Sequence, residues 1–284
     1  MTILTKGAGD THYRSNRNFL KLPEGKHFGM VRAVAVDSRQ RVFVGHRDLV
    51  YHDLPPVAVF DQDGKFLGGW GEGFFKGLHQ VVITPDDIVF VVDNDRHQIY
   101  KFTTEGELLM TIGDGFPRLN APFNFPADVA VSVNGDIYVA DGDANTCIHK
   151  FSKNGEHLLS WGTAGKGRGQ LTTPHSITVD RQERVYVGDR DTGRILVFDK
   201  TGKYITEWTD VLWRPTSVFI DLEQVLIVSD LNCHIHMYDL QGNVLGRGHC
   251  AGPMHSICGD DKGNLYIVMV EGFPYIEKWE RVVT

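Results

Sequence analysis

The sequence predicts an all-β chain folded as a six-bladed β-propeller. Three observations carry that expectation. The stretch TPHSITVD (Thr173–Asp180) has weaker copies along the chain: RAVAVD from Arg32, HQVVIT from His79, ADVAVS from Ala127, HSITVD from His175, TSVFID from Thr216 and HSICGD from His255. Successive copies start 47, 48, 48, 41 and 39 residues apart, and a period of roughly 40–50 residues with several strands per repeat belongs to a propeller rather than a helical solenoid. No stretch of useful length has a helical period; the apolar residues alternate or run in short β-branched and aromatic segments bounded by Gly and Asp turns.

Blade 4 is the clearest repeat. HSITVD is its first strand, RVYVG (Arg184–Gly188) its second, RILVFD its third after the loop DRDTG, and KYITEWT its fourth after the turn KTG. Blade 3 reads ADVAVS, DIYVAD, CIHKFS and HLLSWG; blade 2 reads HQVVIT, IVFVVD, QIYKFT and ELLMTIG. Blade 1 gives RAVAVD, RVFVGH, VAVFD and KFLGGWG, and blade 5 gives TSVFID, VLIVSD, IHMYD and NVLGRG. Blade 6 has only HSICGD, NLYIVM and YIEKWERV before the chain ends. Its fourth strand is expected from residues 12–22, HYRSNRNFLKL, which would close the ring and remove the exposed edges of a linear array. All of residues 1–284 are read as one propeller domain, a length within the range of closed β architectures.

Bulk properties narrow the function. The net charge of −7 and the lack of any basic run argue against nucleic acid or an anionic membrane surface as partner. No apolar stretch approaches the ~18 residues of a membrane span, and MTILTKGAGDTHYRS has no apolar segment of a secretory signal. The four cysteines have no CxxC spacing and read as free thiols, which points to a cytoplasmic protein.

The first positions of the six copies form a column: Arg32, His79, Ala127, His175, Thr216 and His255. First strands line a propeller's channel, so histidines in alternate blades converge on one axis. Most of the thirteen histidines are read as surface or structural, as a lone strand histidine usually is. Three in one column, with no carboxylate among them, are poorly accommodated unless something bridges them. Three neutral nitrogens with an open fourth position describe a zinc-type catalytic centre. One residue past the second strands the copies read Arg47, Asn94, Gly142, Arg190, Leu231 and Val270, which sets Arg47 and Arg190 across the ring from each other. Each is either tied up by a neighbouring aspartate (Asp48; Asp189 or Asp191) or clamps an anionic substrate group.

The repeat pattern, with a P-x-g-i-a-v-d start, a D-x-x-N/T-x-x-I loop and a W-G end, resembles the NHL repeat. More narrowly, the chain resembles peptidyl-α-hydroxyglycine α-amidating lyase, an NHL-type six-bladed propeller with a three-histidine zinc. GLHQVVIT, TPHSITVD and PMHSICGD match its metal-binding segments, which implies His79, His175 and His255 as ligands. VFVGHRDLVY and VGDRDTGRI resemble the segments of its two active-site arginines, implying Arg47 and Arg190. Where that family has a D-G-Y loop with a catalytic tyrosine, this chain has Asp141-Gly142-Asp143, so Asp143 is either a replacement base or a turn residue. Ser256 stands where the family places an aspartate on a structural calcium, so that calcium is not expected. The resemblance implies a metal-dependent lyase acting on a small, anionic carboxylate- or amide-bearing substrate. A hydrolase of a small amide, lactone or ester, a gluconolactonase-type lactonase and a non-catalytic NHL protein-binding module are the alternatives. The sequence leaves the role of Arg32 and the oligomeric state open.

Overall fold

The structure is a computed structural model that describes residues 5–6, 12–47, 53–119, 122–209, 212–270 and 276–282. Six antiparallel sheets form the six expected blades. Their inner strands are Met30–Val36, Leu78–Ile83, Asp128–Val131, Pro174–Val179, Pro215–Ile220 and Met254–Gly259. Each later strand pairs with the one before it, so every blade is built outward in chain order. The only helical element among the described residues is one turn of 3₁₀ helix at Arg190–Thr192.

The ring closes as the strand count requires. His12–Asn16 pairs antiparallel with Ile276–Val282, from His12 opposite Val282 to Asn16 opposite Lys278. The pairing is shorter than the 12–22 stretch expected: after Asn16 the chain leaves blade 6 for blade 1, where Phe19 packs and Lys21 bridges Lys65. A second strand, Thr5–Lys6, adds a fifth member to blade 5 beside Val244–His249. Two residues carry no periodicity, so no sequence pattern announces it.

The core lies between blades rather than within them. Six apolar clusters among the described residues each join one blade to the next. The cluster between blades 5 and 6 includes Tyr13 from the closing strand, 4% exposed, against the fully buried Trp279 with ring centroids 6.0 Å apart. Tyr13→Ala is therefore expected to cost about 3 kcal/mol of unfolding free energy, the usual cost of emptying a buried aromatic site. A denaturant titration would measure it; a loss under about 1 kcal/mol would mean the closing strand is not anchored there.

A candidate metal centre on the propeller axis

The inner strands begin with a bulge. In five blades the register to the second strand slips by one residue at the column position: around Arg32, His79, His175, Thr216 and His255. A bulged residue has no cross-strand partner and its side chain is re-aimed. That is how a strand otherwise committed to inter-blade packing turns one side chain toward the axis. The three imidazole centroids stand 4.8, 5.3 and 5.5 Å from each other, and one nitrogen from each lies within 4.8 Å of the others.

Each histidine is held by the blade that follows it. His79 Nδ1 donates to the Ala127 carbonyl at 2.7 Å, His175 Nδ1 to Thr216 at 2.8 Å and His255 Nδ1 to Arg32 at 2.7 Å. The acceptors are the remaining column residues. A carbonyl only accepts, so every Nδ1 carries the proton and every Nε2 is left with a free lone pair. Burial drives all three pKa values down: His175 to about 4, and His79 and His255 well below the ordinary histidine value, with the neighbouring imidazoles and Arg32 adding to the effect on the latter two. Three neutral imidazoles with their second nitrogens fixed by backbone carbonyls form the donor set of a divalent transition metal, and the residues present fit such an ion.

The loops after the second strands surround this triad. Asp143 reaches over it: Oδ2 lies 3.6 Å from His79 Nε2 and accepts from Asn94 Nδ2 at 3.0 Å, while Oδ1 is 3.4 Å from an Arg190 nitrogen. The Asp143 loop lies close against blade 4. A Cβ on Gly142 would fall 2.0 Å from the Pro174 carbonyl oxygen, so only glycine permits that approach. Arg190 also meets Asp191 at 3.4 Å, and Asp191 in turn meets Arg214 at 3.1 Å. Arg47 turns toward blade 2, donating to the carbonyls of Leu78 at 3.0 Å and Gly77 at 3.2 Å, with Asp95 3.7 Å away. It braces the two residues before His79. Asp48, the neighbour weighed as its partner, lies outside the described residues. The structure thus brings His79, His175, His255, Asp143 and Arg190 together, while Arg47, expected to face Arg190 across the ring, lies at the edge of the group against Gly77, Leu78 and Asp95.

A polar layer that sequence reasoning missed lies one residue further along the inner strands, at Gln80, Asp128, Ser176, Ser217 and Ser256. Its signal was available, since Asp128 is the only carboxylate at that repeat position. Beyond this layer the channel opens into a cavity of about 470 Å³ lined by all six inner strands, and none of the three histidines lines it. Asp128 accepts from the backbone N–H groups of Ile177 at 2.9 Å and Val129 at 2.8 Å. Burial still outweighs these bonds and pushes its carboxyl up to about 7. Between the ordinary value of 3.8 and about 7, the folded chain keeps a proton that the unfolded chain releases. Stability therefore falls as pH rises through that window, by up to about 4 kcal/mol. Relative to the parent, Asp128→Asn should gain stability between pH 5 and pH 8. Urea midpoints that shift in parallel would contradict this.

Two other clusters could group ligands. Asp141, Cys147 and His149 meet in blade 3, and Asp230, His234 and His236 in blade 5. Both use the aspartate that ends the second strand. His149 is satisfied on both sides, by Ser160 at 2.7 Å and Asp141 at 3.2 Å, which makes it a structural link between strands.

A closed six-bladed ring of this repeat, with imidazoles from alternate blades meeting on its axis, defines an NHL-type propeller carrying a candidate metal centre. Comparison with known proteins bears on the family. The family described as DUF5128, 6-bladed beta-propeller, matches residues 128–224. Human NHL repeat-containing protein 3 is 33% identical over 238 residues, taking in 78% of this chain and 67% of that protein. Peptidyl-alpha-hydroxyglycine alpha-amidating lyase 1 of Drosophila melanogaster is 35% identical over 155 residues, 50% of this chain and 29% of that protein. Among solved structures, a streptogramin B lyase superposes with a TM-score of 0.68 at 13% identity over 95% of this chain and 98% of that one, and a gluconolactonase from Xanthomonas campestris with 0.69 at 16% over 99% and 95%; these share the fold. The chain belongs to the NHL-repeat family of six-bladed propellers that includes NHL repeat-containing protein 3, and the amidating lyases are among its homologues.

Proposed function

We propose that the chain is a metal-dependent lyase acting on a small carboxylate- or amide-bearing substrate, with His79, His175 and His255 as ligands of zinc or a similar divalent ion. The observation that carries this reading is the set of three Nδ1–H bonds to column carbonyls, which leaves a free lone pair on each Nε2 of a cluster whose ligand atoms lie within 4.8 Å of one another. The amidating lyases among its homologues favour the same reaction class. A divalent ion held there supplies Lewis acidity to a substrate oxygen.

The protein's own groups do the rest. Asp143 is the base, in the place where the amidating lyases carry a tyrosine. The substrate hydroxyl proton passes to its carboxylate, the O–H electron pair becomes the carbonyl bond, and the C–N or C–O pair departs with the leaving atom, which takes the proton back. Arg190, 3.4 Å from Asp143, holds that base in place and stabilises negative charge developing on the substrate oxygen. Arg47 fixes the segment carrying His79. With water as nucleophile the same groups suit a hydrolase of a small amide, lactone or ester. The substrate is a small molecule rather than nucleic acid, in keeping with the net charge of −7. The four thiols are all free, which suits a cytoplasmic setting.

A non-catalytic NHL binding module is the second reading, favoured by the similarity to NHL repeat-containing protein 3. Metal content decides between the two. Protein purified without a histidine tag and without added metal should carry about one equivalent of zinc or another transition metal. A folded protein free of metal would overturn the lyase reading and favour the binding module.

A further inference from the structure

The charges around the centre do not balance. Arg190 is matched by Asp143 and Asp191, Arg214 by Asp191, and Arg47 by Asp95 and two carbonyls. Arg32 has no such match. It is the blade 1 member of the histidine column, bulged toward the axis like the others. Its carbonyl accepts the His255 Nδ1 proton, so it sits in the ring between His255 and His79. Its Nε is buried without a hydrogen-bond partner. Its charge reaches all three imidazoles. The Arg47 charge is close enough to repel it, and Asp143 and Asp95 attract it more weakly. A guanidinium in that position is unfavourable in the free protein, and its planar fork suits a carboxylate.

We infer that Arg32 is the anion receptor of this centre, binding the carboxylate of a small hydroxy acid whose hydroxyl faces the three histidines. The inference rests on the proposed function for the hydroxyl's placement, and it goes further by assigning the carboxylate to one residue. It also moves the main anion contact away from Arg47 and Arg190, whose donors already have partners. Arg32 then has opposite effects in the two states: it destabilises the free protein and stabilises the complex.

The test uses the full chain as purified, with lactate and its neutral analogue lactamide as probes in calorimetric titrations. The parent should bind lactate at least about tenfold more tightly than lactamide, since a charge-assisted bidentate pair is lost with the amide. Arg32→Met should bind lactate at least about tenfold more weakly than the parent, and Arg32→Lys, which keeps the charge but not the fork, should fall between them. The ligand-free melting temperature of Arg32→Met should equal or exceed that of the parent, because a half-buried charge whose Nε has no partner has been removed. Lactate binding unchanged in Arg32→Met, a parent that does not distinguish the two probes, or a fall of more than about 5 °C in the ligand-free melt would each overturn the assignment. Metal analysis of the same samples separates the two ideas. Arg32-dependent lactate binding in protein free of metal would leave the anion receptor standing and remove the metal-dependent lyase.

Discussion

Replacing His175 with alanine is expected to leave the protein folded and its axial centre empty. The parent should carry about one equivalent of metal, and the variant less than about a tenth of that after dialysis. Loss of a residue that merely orients a ligand costs roughly 10–100-fold in metal affinity, and loss of one of only three ligands costs more. The fold should survive because the side chain contributes one hydrogen bond, from Nδ1 to the Thr216 carbonyl at 2.8 Å, and takes no part in the apolar clusters between blades. His157→Ala is the control: that histidine is exposed and bonds only Ser160. Metal retained in the His175 variant, or lost equally in both, would rule out the axial triad as the binding site.

The histidine triad was legible in the sequence because two regularities coincide. The repeat fixes equivalent positions to within a residue, and the propeller sends first strands to the axis, so a column of letters becomes a ring of side chains. The closing strand was legible for a related reason: blade 6 lacked one member. What the sequence hid are contacts that depend on backbone. The bulge at His79 or His175 leaves no mark in composition. The acceptors that fix the tautomers are carbonyls of Ala127, Thr216 and Arg32, whose side chains say nothing of that role. The side chain of Arg47 reads as a clamp or an ion pair; among the described residues it pairs with Asp95 and also donates to the carbonyls of Gly77 and Leu78, which no side-chain pattern announces. Asp143 was visible as a departure from the amidating-lyase pattern; that it comes within 3.6 Å of His79 depends on Gly142 packing against Pro174.

Burial of the triad has an opposite consequence for metal retention and for the stability of the metal-free protein. An exposed three-histidine site loses its ion as the imidazoles protonate near pH 6.5. Here burial holds His175 down to about 4 and the other two well below the ordinary value, so protons do not compete at mildly acid pH and the ion should remain bound at pH 5. The chelated protein should behave differently. Between about pH 6.5 and about pH 4 the unfolded chain binds protons that the folded chain refuses, so its stability falls as the pH falls. His175 alone accounts for about 3 kcal/mol of that loss. Asp128 acts in the other direction over much of the same window, since the folded state holds its proton up to about 7, but it is one group against three. Unfolding of chelated protein at pH 7 and pH 4.5 should therefore show a marked loss in acid, smaller in chelated His175→Gln. Metal release with a midpoint near pH 6 would mean that the imidazoles titrate like exposed ones, and that the axis is open to water in a way their packing does not suggest.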